Sequence, residues 1–249
     1  MSSGSSVETG MENVRPDVSQ GLTEVHKRMT MACSAAGRAP DSVHLLAVSK
    51  TFPPAAVRAA VAQGQTAFGE NYVQEGVDKI AALADLPGLE WHYIGPLQSN
   101  KTRQVAEHFA WVHTVDRLKI AERLAAQRPA HLPPLQLCIQ VNISGEASKS
   151  GVAPEEVLAL ARGVDALAGV RLRGLMAIPE PAQGLEAQRS PFRRMRELLA
   201  ELNAGGLACD TLSMGMSGDL EAAIAEGATI VRVGTAIFGA RAYAGEAGA

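Results

Sequence analysis

The chain predicts an α/β fold, a single (β/α)8 TIM barrel, and three observations predict it. Eight short apolar runs recur along its 249 residues. An amphipathic segment separates each pair of neighbouring runs, in strict alternation. Most runs are apolar throughout rather than polar at every second residue, as strands covered on both faces of a parallel sheet must be. A doubly wound open sheet is the runner-up reading of the same alternation.

The elements follow in order. Residues Pro16 to Gly37 predict an opening helix, with Leu22, Val25 and Met29 on one stripe. The strands are read at Val43–Ser49, Thr66–Gly69, Glu90–Ile94, Trp111–Val115, Gln136–Asn142, Arg171–Ala177, Thr211–Ser213 and Thr229–Val233. The helices are read at Pro54–Gln63, Tyr72–Ala84, Lys101–His108, Asp116–Gln127, Pro154–Ala166, Ser190–Leu202 and Asp219–Glu226. A short segment, Gly234 to Ala240, closes the last strand. Residues 1–14 include a Ser/Gly-rich stretch without an apolar core and read as a disordered tail, so residues 15–249 form one domain.

Composition narrows the function. The net charge of -3 argues against a general nucleic-acid surface while leaving room for a local anion pocket. No stretch has transmembrane length, so no membrane partner is expected. The three cysteines, Cys33, Cys138 and Cys209, are far apart and form no CxxC pair. That usage suits a reducing, cytoplasmic setting and three buried small hydrophobes. The six histidines show no metal-ligand spacing, so no metal is expected.

Chemistry is expected at the carboxyl ends of the strands, where barrels of this kind gather it. Lys50 stands there, at the end of the first apolar run. Desolvation in an apolar pocket lowers an amine's pKa and leaves a neutral nucleophile able to attack an aldehyde. A lysine that merely snorkels at a strand end is the alternative. The seventh and eighth loops, from Ser213 to Asp219 and from Arg232 to Ala236, are rich in glycine and hydroxyl groups. Such loops offer backbone N–H groups to a phosphate, with Ser217 and Thr235 as further donors. Ser217 or Asp219 could instead simply cap the following helix. Glu70, just after the second run, is a candidate acid or base, or a cap. A reactive amine beside a phosphate cradle points to a phosphorylated aldehyde, and pyridoxal 5'-phosphate fits.

Seven segments together carry a resemblance. They are LLAVSKTFP (45–53), FGENYVQE (68–75), WHYIGPLQSNK (91–101), VNISGEASKSG (141–151), RGLMAIPEP (173–181), LSMGMSGDLEAAI (212–224) and VRVGTAIFGAR (231–241). In this order they resemble the YggS/PROSC family of pyridoxal phosphate homeostasis proteins, from about Gly21 to about Tyr243. The resemblance implies a barrel similar to the N-terminal domain of alanine racemase, the fold type III arrangement. It implies Lys50 as the Schiff-base lysine, Asn71 near the cofactor ring and His92 near the pocket wall. It places Ser217, Gly234 and Thr235 at the phosphate and Arg232 opposite the pyridine nitrogen, with Met214 in the same cofactor-binding set. A guanidinium only donates hydrogen bonds, so Arg232 there would disfavour the pyridinium and blunt the cofactor as an electron sink. A structural arginine paired to a carboxylate is the plainer alternative. Lys149, in a Ser/Gly loop, reads as a solvated lysine, or as a second, transient holder or guide of the aldehyde.

The family implies a carrier that holds the cofactor as a lysine imine without robust catalysis and supplies PLP-dependent apo-enzymes. The sequence favours a monomer, lacking the second domain through which racemases pair. A PLP-dependent racemase or lyase is the alternative, with Tyr72, Tyr93 or His92 supplying the missing acid. A lysine-dependent aldolase acting on a sugar phosphate is a third reading, in which Arg232 has no clear task.

Overall fold

A computed structural model describes residues 17–145 and 150–239. The tail assigned to residues 1–14 and the side chain of Lys149 lie outside the described residues. Eight parallel strands close into a barrel in simple sequence order, the last pairing with the first. They are β1 (His44–Val48), β2 (Ala67–Glu70), β3 (Glu90–Tyr93), β4 (Trp111–Val115), β5 (Leu135–Gln140), β6 (Val170–Met176), β7 (Thr211–Ser213) and β8 (Ile230–Val233). Each was legible as an apolar run, and each boundary falls within two residues of the expected one.

Helices lie outside: α1 (Val18–Ala35), α2 (Pro54–Val61), α3 (Val73–Ala82), α4 (Thr102–His108), α5 (Leu118–Gln127), α6 (Val157–Asp165), α7 (Leu185–Ala204), α8 (Leu220–Ala225) and α9 (Thr235–Phe238). Asp17 caps α1 by accepting from the Ser19 N–H at 2.9 Å. The start of α7 differs from expectation. The sequence places it at Ser190–Leu202. The helix instead starts at Leu185, with Gly184 at φ 86° before it and Pro191 inside. Phe192, Met195, Leu198 and Leu202 bury one face and hold the helix through the missing N–H.

The main core lies between barrel and helices and includes Val25, Val57, Phe68, Leu124, Leu137, Leu175, Phe192 and Val231. A smaller apolar cluster of Leu46, Ile94, Trp111, Cys138, Met176 and Ile230 packs separately. Beside it His92, His113, Ser213 and Arg232 are buried on the strands, where bulky branched apolar side chains ordinarily dominate a barrel interior. The three cysteines are buried and unpaired by disulfides. No described helix is long and apolar enough to cross a membrane.

Candidate functional site

A cavity of about 340 Å³ opens at the carboxyl ends of the strands. Its wall takes Val48, Lys50 and Phe52 from the β1 end, Asn71 and Ile94 from the next two, and Ile178 from the β6 end. Met216, Ser217 and Gly218 follow β7, and Arg232, Gly234 and Thr235 come from β8 and its exit. The volume falls within the range of small-molecule pockets, about 300–1,000 Å³.

Six of the eight candidate residues meet here: Lys50, Asn71, Ser217, Arg232, Gly234 and Thr235. Two do not. His92 is buried in the barrel, stacks on Trp111 and lines a different cavity, of about 620 Å³, at the amino end of the strands. Side chains alternate along a strand, so Ile94, two residues on, takes the rim position on that side. Met214 is fully buried in the main core, and Met216 is the methionine at the cavity.

The backbone around Lys50 is held from below by a charged cluster that the sequence did not reveal. Lys79, on α3, is buried and places Nζ 2.6 Å from Glu70 Oε1, 3.0 Å from Glu75 Oε1 and 2.8 Å from the Ser49 carbonyl. Those three acceptors use all three ammonium protons. The Ser49 hydroxyl also donates to Glu70 Oε1, at 2.6 Å. On the other side of Lys50, the Thr51 N–H donates to Glu75 Oε1. Thr51 has φ 68°, a left-handed conformation a β-branched residue adopts only under constraint. The residues before and after Lys50 are thus tied to one ion cluster, in which Glu70 and Lys79 are buried and Glu75 is partly exposed. Burial pushes the Glu70 carboxyl above its ordinary value, against the pull of Lys79. Glu70 therefore neither faces the cavity nor caps α3, whose N-cap is Tyr72. The i,i+4 spacing of Glu75 and Lys79 is equally that of an ordinary solvated pair, so spacing alone does not announce the cluster.

Asn71 is set by close packing. A Cβ on Gly95 would stand 2.0 Å from the Asn71 carbonyl oxygen, so only glycine fits. Gly95→Ala is expected to destabilise the fold by about 1–3 kcal/mol, read by urea unfolding. An unchanged midpoint would contradict the close approach. Asn71 Oδ1 is buried without a hydrogen-bond partner among the described residues.

The β7 loop is shaped by its own carboxylate. Asp219 Oδ1 accepts from the Met216 N–H at 2.6 Å rather than capping α8. Gly215, at φ 95°, makes the turn, and Arg28 from α1 holds the Ser217 carbonyl at 2.9 Å. Arg232 is buried. Its Nη1 donates to Ser213 Oγ at 2.8 Å and its Nη2 to the Ala177 carbonyl at 2.9 Å. Burial lowers its pKa to about 10, opposed by Asp219, so the guanidinium stays charged at neutral pH. No carboxylate pairs with it directly among the described contacts, so the structural-arginine alternative loses its partner. The wall thus offers an amine, a fixed cation and two hydroxyl-bearing loops, which suits an anionic aldehyde.

Known proteins share the sequence and the fold of this chain. The family model described as the alanine racemase N-terminal domain matches residues 32–242. The pyridoxal phosphate homeostasis protein of Pseudomonas aeruginosa is 64% identical over 226 residues, covering 91% of this chain and 96% of that one. The chain belongs to the pyridoxal phosphate homeostasis protein family. PipY of Synechococcus elongatus, solved with PLP bound, superposes at a TM-score of 0.78 with 40% identity, covering 89% of this chain and all of that one. Alanine racemase from Corynebacterium glutamicum shares the fold at a TM-score of 0.64 and 17% identity, and this chain spans 63% of its length. The homeostasis family is named for its handling of the cofactor rather than for a reaction.

Proposed function

We propose that this protein binds pyridoxal 5'-phosphate at the carboxyl-end cavity, through Lys50, and carries it without robust catalysis. One observation carries the reading: Lys50, Arg232 and the β7 and β8 loops line a single cavity. The residues present fit the cofactor. The amine suits its aldehyde, the guanidinium its ring nitrogen, and Ser217, Gly234 and Thr235 its phosphate. Asn71 Oδ1, buried and without a partner, is left to meet a polar group beside the ring. Lys50 would hold the cofactor through its amine, and the cofactor when bound would supply the electrophilic aldehyde that an amine can condense with, releasing one water.

The reading as a carrier rests on what the wall lacks. Lys50 and Arg232 are the titratable residues that line it, among the described residues. The three candidate acids for a racemase lie elsewhere. Tyr72 is exposed at the start of α3. Tyr93 donates to the Pro96 carbonyl at 2.9 Å, and burial pushes its pKa up to about 12. His92 lines the opposite cavity. A racemase needs proton donors on both faces of its substrate, and one amine supports one face. The arginine at the ring nitrogen works in the same direction. Apo-enzymes that require the cofactor are the expected recipients, and a monomer is the expected carrier.

Titrating the purified protein with pyridoxal phosphate and following absorbance tests the reading. Ser217→Ala combined with Thr235→Ala is expected to weaken retention by about ten- to a hundredfold, through two lost bonds to an anion, while the melting temperature holds. Equal losses in retention and stability would make the two hydroxyls ordinary structural caps.

A further inference from the structure

Arg232 is the cationic end of a hydrogen-bond chain that crosses the barrel interior. Ser213 Oγ, which accepts from Arg232, lies 2.7 Å from His113 Nδ1. His113 Nε2 lies 2.9 Å from His92 Nδ1, and His92 Nε2 lies 2.8 Å from Glu90 Oε1. Ser213 and His113 are fully buried and His92 nearly so, while Glu90 is half-exposed at the mouth of the amino-end cavity. Neither histidine touches the cofactor-end cavity.

The two ends dictate where every proton sits. Hydrogen bonding to His92 holds Glu90 below the ordinary carboxylate range, so its oxygens only accept. Burial disfavours the charged form of both histidines, so each ring carries one proton. His92 must then present Nε2–H to Glu90, which leaves its Nδ1 as an acceptor. His113 must donate from Nε2, which leaves its own Nδ1 to accept the Ser213 proton. With that proton committed, the Ser213 oxygen can only accept from Arg232. The opposite sense would set the His92 lone pair against a carboxylate.

We infer that His92 and His113 are both Nε2–H tautomers and that, with Ser213, they form a one-way donor chain from the Arg232 guanidinium to Glu90. The chain positions Arg232. It fixes the Ser213 hydroxyl so that its lone pairs face Nη1, and it links the cation to a remote anion with no carboxylate hydrogen-bonded to the guanidinium among the described contacts. The guanidinium keeps its full charge toward the cavity. His113, His92 and Glu90 are therefore positioning residues, acting through Ser213. This rests on the proposed place of Arg232 beside the cofactor ring, but the proton positions do not depend on any ligand.

Two measurements test it. In the full chain without cofactor, ¹⁵N spectra of labelled histidines at neutral pH should show both rings protonated at Nε2 and unprotonated at Nδ1. A proton on Nδ1 of either ring overturns the chain's direction. With pyridoxal phosphate, His113→Leu should weaken retention by about tenfold and move the absorption band of the bound cofactor. His113→Gln, which offers one acceptor and one donor in line, should recover both. A His113→Leu protein with the parental band and retention overturns the positioning role, whatever its melting temperature. Should His113→Leu fail to fold, the ring protons of the unsubstituted protein decide. Should the unsubstituted protein take up no cofactor, the proposed function fails, and the same spectra still decide the chain.

Discussion

Lys50→Ala is expected to abolish retention of pyridoxal phosphate through dialysis while leaving the fold intact. Lys50 follows the end of β1 by two residues and is one of the twelve residues on that wall. Removing it removes the only amine there among the described residues. The β7 and β8 loops and Arg232 would still attract the anion, so weak, reversible binding should persist. The expected loss is on the order of a hundredfold, equivalent to about 3 kcal/mol. Lys50→Arg should fail as well, because a guanidinium is not a nucleophile at neutral pH. A protein carrying either substitution that stays yellow after dialysis would place the covalent link elsewhere.

The second large effect falls on stability. Lys79→Met should destabilise the fold by about 3–5 kcal/mol, because it strands a buried carboxylate. Glu70 is fully buried and Oε2 already lacks a hydrogen-bond partner among the described residues. Without Lys79 its carboxyl should rise further above its ordinary range. A carboxyl raised in the folded state binds its proton more readily there than in the unfolded chain. Stability therefore falls as pH climbs from the unfolded value through the folded one, and the defect of Lys79→Met should shrink on acidification. Adding Glu70→Leu should recover most of the loss by removing the stranded charge. Urea unfolding across pH checks both statements. A loss that is the same at every pH would assign the effect to packing instead. The variant should also loosen Ser49 and Thr51, and with them the aim of Lys50.

The barrel was legible because parallel strands covered on both sides must be apolar along their length, and turns must interrupt them. Lys50, Ser217, Gly234 and Thr235 were legible for a related reason: polar and glycine residues directly after such runs land on the rim. Depth along a strand was not legible. His92 on β3 and Ile94 just past its end fall two residues apart, and nothing in WHYIGP says which of the two reaches the rim. Met214 and Met216 posed the same choice across a glycine turn. The Glu70–Lys79 pair was hidden because its members are nine residues apart and meet only once α3 folds back on β2. The chain from Arg232 to Glu90 draws on four strands, so no local motif could announce it.

The most direct measurement is borohydride reduction of the protein loaded with pyridoxal phosphate, followed by peptide mass mapping. The account predicts one reduced adduct, on Lys50, in the peptide that leaves β1. An adduct on another lysine, or a loaded protein that reduction cannot mark, would contradict it.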